Sequence, residues 1–191
     1  MRKRRNWLDW IVVSIVLIGV AIVAVYAYQS YRESREKKEA REAFQTYGNA
    51  VMDVRRSYIR AYNKLYGKES EETRGAVGRF DSWADVLQRA AKALTAIEPP
   101  GQFADAHAVF VQAWRQEVPF IRKHARIGRR ILSNEPTDFL DFAANDAWRN
   151  RLLKEFDIVT KADKRVEAAW EKWRTAANQE AKRLGVTVSG D

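Results

Sequence analysis

The sequence predicts an all-α protein: an N-terminal transmembrane helix that continues into an up-down-up-down four-helix bundle. Three observations carry this. Residues Trp10 to Tyr31 contain no charged side chain, a run long enough at the helical rise to cover ~33 Å, about the thickness of a bilayer's hydrocarbon core. Beyond it, apolar residues recur at steps of three and four in four separate segments, the period of a helix with one buried face. No segment shows the alternation expected of a strand, and four amphipathic helices joined by short turns pack most simply as a bundle.

Residues 1–9 hold Arg2, Lys3, Arg4 and Arg5 beside Trp7 and Asp9 and read as a basic cytoplasmic tail. Residues 10–31 are the expected span. Trp7 and Trp10 flank one end, and Tyr26, Tyr28 and Tyr31 the other, where amphipathic rings favour the headgroup level. "VYA" at 25–27 offers a peptidase site. The apolar run is nevertheless longer than a signal-peptide core, and helical periodicity continues past it, so the reading is an uncleaved anchor. Lys and Arg number four before the span and five after it, at 32, 35, 37, 38 and 41. Clustering of the first four at the extreme N-terminus points to a cytoplasmic N-terminus, and the large C-terminal part crosses largely regardless of its charge.

Residues 32–43 carry acids and bases four apart, Glu33 with Lys37, Arg35 with Glu39 and Lys38 with Glu42, as in a solvated helical stalk. The extracytoplasmic bundle is expected over 44–184. Its first helix shows Phe44, Tyr47, Val51, Val54, Tyr58, Ala61 and Leu65, and "YGKESEETRGAVG" is expected to end it and form the first turn. Phe80, Ala84, Leu87, Ala91 and Leu94 mark the second helix, stopped by Pro99 and Pro100. The third carries Phe103, Ala106, Phe110, Trp114, Ile121, Gly128 and Ile131, with Pro119 expected to kink it. "SNEPTD" closes it, "FLDFAA" reads as a short separate helix, and Asn145–Asp146 is the expected cap of the last helix, which shows Trp148, Leu152, Phe156, Val159, Val166, Trp170 and Trp173. With that break, Trp170 is expected beside about residue 42, close to Phe44. Residues 185–191 form a flexible tail.

Charge and composition exclude several functions. The net charge of +9 falls to +6 over residues 29–191, spread over many charges of both signs, which suits a soluble surface and does not suit a nucleic-acid-binding domain. With no cysteine there are no disulfides and no thiol chemistry. His107 and His124 are the only histidines and neither follows a glutamate by three, so no metal site or cofactor is expected. There is no nucleophile elbow and no P-loop, and no catalytic residues are assigned.

Two features of the third helix bear on function. Arg115, Arg126 and Arg129 project within ~40° of Arg122, with Arg130 and Lys123 flanking, which makes a basic stripe facing away from the apolar side. Arg115, Arg122, Arg126, Arg129 and Arg130 are therefore the expected contacts for an anionic envelope polymer or a protein partner. Glu117 and His124 fall on the apolar face itself, where an acid must be hydrogen-bonded or neutralised. They read as a buried polar network, or as a ligand cleft opened at Pro119. Trp173, at the edge of the apolar stripe, is the best-placed ring for sugar stacking. The resulting expectation is a single-pass envelope protein acting as a non-enzymatic scaffold or adaptor. A ligand-sensing bundle is the alternative and a secreted or wall-acting enzyme the remaining one. Homo-oligomers are open to it through stalk or span.

Overall fold

The computed structural model describes the backbone of residues 3–66, 73–136 and 141–187, and within those ranges the side chains of Ser14 and of residues 17 onward, apart from 73, 74, 76 and 142. Among the described residues the chain forms helices α1 (Lys3–Tyr66), α2 (Thr73–Thr95), α3 (Ala104–Ser133) and α4 (Phe142–Leu184), with one 3-10 turn at Gly101–Phe103 and no strand. It divides into two units, Met1–Ala43 and Phe44–Asp191.

The first unit is helical throughout its described backbone. Every large apolar side chain described from Leu17 to Tyr31 is exposed, at 53–71%. The charged segment after it holds the expected pairs Arg35–Glu39 and Lys38–Glu42, and Arg32–Glu36 in place of Glu33–Lys37. Among the described residues no helix is long and apolar enough to cross a membrane. The side chains of 10–13, 15 and 16, at the start of the expected span, lie outside those described.

The second unit is a four-helix bundle whose contacts run antiparallel between chain neighbours. Trp83 meets Tyr58 on α1, Arg122 meets Asp85, and Glu117 meets Arg165. The ring closes between the first and last helices, where Arg55 meets Glu167 and Tyr47 meets Trp173. The expected up-down-up-down order is thus the observed one.

Two boundaries differ from the sequence reading. Gly75 and Gly78 lie inside α2 and not in the turn before it. Neither has a positive φ, so glycine there marks no turn. Val77 between them is 1% exposed, and burying it holds this end helical despite ~1 kcal/mol of unfavourable propensity per glycine. A Cβ added at Gly128 of α3 would stand 3.1 Å from Val77 Cγ1, so this glycine lets α2 and α3 approach closely. Pro119 sits within an uninterrupted α3.

The largest correction concerns α4. It is not broken at Asn145–Asp146 but starts at Phe142, capped by Asp141, whose carboxylate accepts from the Ala144 amide at 2.9 Å. The described part of "FLDFAA" is therefore the first turn of α4. Its other end closes at Gly185 in the left-handed conformation, with Val186 N bonded to Ala181 O and Gly185 N to Lys182 O. Trp170, expected beside about residue 42, instead stacks on Trp173 at 5.0 Å and faces Phe110 and the Arg55 guanidinium. The pairs Tyr47–Trp173 and Arg55–Glu167 set this register, which follows from side-chain packing and not from where α4 begins. The first turn, the end of "SNEPTD" and the extreme tail lie outside the described residues.

Candidate functional site

The α3 stripe divides into paired and unpaired arginines. Arg122 donates to Asp85 at 2.8 Å and to Gln88 at 2.6 Å, and Arg129 pairs with Asp81, so both tie α3 to α2. Arg115, Arg126 and Arg130 are exposed and make no ion pair among the described residues. Lys92 of α2 and Arg115 line one shallow groove beside Pro119.

On the inward face Glu117 and His124 are both 9% exposed. They do not share a cleft. Glu117 takes a bidentate bond from Arg165 of α4, with Nε at 2.6 Å and Nη2 at 2.8 Å. His124 Nδ1 stands 2.6 Å from Glu155 Oε2, one contact further along the same helix pair. Phe120 lies between them, with Arg165 over its ring and the His124 imidazole at 4.5 Å. Each buried polar group thus has its partner on α4, which is what fixes register between two helices.

A groove of about 520 Å³ runs between α3 and α4. Its floor is Phe110 and Trp173 with small side chains above them, and Glu117 and Arg165 close one end. His124 is not part of it. Trp173 is 2% exposed and its Nε1 donates to the Tyr47 hydroxyl at 2.8 Å, so it is core and offers no face to a sugar.

Two clusters were not anticipated. In the first, Tyr47 donates to His107 Nδ1 at 2.9 Å and His107 Nε2 donates to Leu94 O at 3.0 Å. A carbonyl only accepts, so Nε2 carries the proton, and the chain Trp173–Tyr47–His107–Leu94 is satisfied throughout. Burial lowers the His107 pKa below its usual 6.5, with the Leu94 bond acting the other way.

The second cluster centres on Arg55, 7% exposed, whose Nη2 reaches both Glu167 oxygens at 2.6 Å. Its Nε and Nη1 are buried without a hydrogen-bond partner. The rings of Tyr58, Trp114 and Trp170 stand around it at 5.3, 5.8 and 5.1 Å, and their electron-rich faces attract the cation. Tyr62 donates to Asp163 at 3.2 Å, and burial raises the pKa of that carboxyl. Burial likewise pushes Tyr66 up to about 12. Spacing did contain the signal: Arg55 stands four after Val51 and three before Tyr58, and Asp163 four after Val159 and three before Val166. Among the described residues no group of three or more His, Asp or Glu is placed to hold a metal ion. Comparison with models of protein families, with curated proteins and with solved structures returns no match for this chain.

Proposed function

We propose that this chain is a single-pass, membrane-anchored bundle protein of the cell envelope that works as a non-enzymatic scaffold or adaptor. In this reading the N-terminus is cytoplasmic and the bundle extracytoplasmic. One observation carries it: from Leu17 to Tyr31, on all sides of a helix, the described large apolar side chains are uncovered. Contiguous apolar surface of this extent is unfavourable in water and needs a cover. A bilayer fits, because the helix satisfies its own backbone hydrogen bonds and the whole uncharged run matches the hydrocarbon thickness.

What supports an adaptor is the way the second unit uses its polar groups. Glu117, His124, Arg55 and His107 each bond across helices and so hold the bundle in one register. Arg115, Arg126 and Arg130 remain for an acidic protein or an anionic envelope polymer; nucleic acid is not the partner in this reading. Self-association through stalk or span is compatible with it.

The test uses the full chain in its native membrane. Alkaline carbonate should leave it in the pellet, and protease added from the outer side should remove the C-terminal tail. Release by carbonate would overturn the anchor. Photo-crosslinking from Arg126, set against a probe at Lys37, should capture a partner from Arg126 alone, and equal capture from both would overturn the arginine surface.

A further inference from the structure

We propose that the α3/α4 groove is the contact between two copies of this chain, related by a two-fold axis parallel to the helices. The inference stands on bundle geometry alone and does not require the membrane anchor.

The argument starts from the charges on the two rims. Asp105 and Glu117 lie on the α3 side of the groove, Lys172 and Arg165 on the α4 side. Because α3 and α4 are antiparallel, Glu117 stands level with Arg165, and Asp105 comes within about one and a half turns of Lys172, both lining the groove. Glu117 and Arg165 neutralise each other within one copy, which leaves Asp105 on one rim and Lys172 on the other as the free charges. Asp105 and Lys172 are exposed and make no ion pair among the described residues.

Symmetry turns this pattern into a choice. A two-fold axis along the helices lays α3 of each copy over α4 of the other at the same height, so Asp105 meets Lys172 twice, once on each side of the axis. The perpendicular axis lays α3 over α3 and sets acid against acid, which like-charge repulsion disfavours. Only the first arrangement is self-complementary.

Between the charged ends the surface is apolar. Val109 is 66% exposed on the α3 rim, while Ala168 and Ala169 on the α4 rim are small enough for it to settle against them. From Asp105 to Glu117 the strip is only ~18 Å long. At a width of two helices, ~20 Å, this is roughly 360 Å², short of the ~800 Å² per partner of a standard stable interface. The contact is therefore weak in dilute solution and strengthened wherever copies are held at high local concentration.

Absence of cysteine makes the test clean. In the full chain the double variant Val109→Cys/Ala168→Cys should give a disulfide-linked dimer on mild oxidation, whereas Lys64→Cys, exposed on α1, should not. In that double variant, Lys172→Asp should lower the yield about five-fold, the effect of roughly 1 kcal/mol. Adding Asp105→Lys should restore it by exchanging the two signs. Unchanged thermal unfolding of Lys172→Asp shows that the loss is not misfolding. A yield no higher than that of Lys64→Cys, or one indifferent to both charge changes, overturns the proposal. A small molecule retained in the groove, with no dimer, overturns it in favour of a ligand site.

Discussion

Arg55 and Arg122 each reach from one helix to a carboxylate on the next, but the Arg55 side chain is 8% exposed and that of Arg122 42%. Around Arg55 stand three aromatic rings, and two of its nitrogens have no hydrogen-bond partner; around Arg122 stands solvent. Coulomb attraction is screened at the second site and less so at the first, where Glu167 is 45% exposed but the guanidinium is buried and its desolvation costs more. The same residue types therefore specify helix pairing at one site and add little at the other. Four predictions press on that difference.

The largest effect is expected at Arg55. Glu167→Ala leaves a buried guanidinium without its counter-ion. Discounted because Glu167 is 45% exposed, this should cost about 2–4 kcal/mol in denaturant unfolding. Arg55→Met removes charge and keeps volume, and should be near neutral or stabilising. A strongly destabilised Arg55→Met would mean that the charge itself contributes to stability, and would break the comparison.

Next comes Gly128, which tests whether packing or charge holds α2 against α3. Gly128→Leu must displace Val77 and should cost about 1–3 kcal/mol, more than losing either Arg122 or Arg129. Equal costs would show the ion pairs to be stronger than their exposure suggests.

His107 contributes through pH. Its folded pKa is lowered, so the unfolded chain takes up this proton first. The stability it supports is full above pH 6.5 and is lost as pH falls through that value. The slope should not exceed about 1.4 kcal/mol per pH unit. Asp163, with a raised pKa, acts in the opposite sense at lower pH, as its burial penalty is relieved by protonation. The difference in Tm between the wild type and His107→Gln should therefore narrow from pH 7.5 to 5.5. A constant difference across that range would exclude the titration.

The smallest effect is expected at the exposed α2/α3 ion pairs. Arg122→Ala or Arg129→Ala should cost no more than about 1 kcal/mol, and less in high salt. If either matches Glu167→Ala, the distinction between the two sites fails.

Much of the fold was legible because periodicity reports a helix's buried side directly. Phe44, Val51, Leu87, Trp114, Ile121 and Val166 all fall on apolar faces, and each is 0% exposed. Boundaries were less legible. Gly78 carries no mark to separate a turn from a helix held by Val77, and Asn145–Asp146 looks as good a cap as Asp141 until the Ala144 amide is seen to choose the latter. For the candidate site, spacing put Glu117 and His124 inward but could not say that Arg165 and Glu155 would meet them separately.

The sequence by itself determined the helical class, the number of amphipathic segments, their inward faces and the uncharged N-terminal run, since each of these is local periodicity or local composition. Tertiary structure alone decided which charges meet: that Arg122 and Arg129 turn to α2, that Arg55 is enclosed by rings from α1, α3 and α4, and that the acidic and basic rims of one groove stand level. Those outcomes depend on the relative height and rotation of helices far apart in the chain. Height and rotation are set by summed packing, such as Val77 against Gly128, which no single segment encodes.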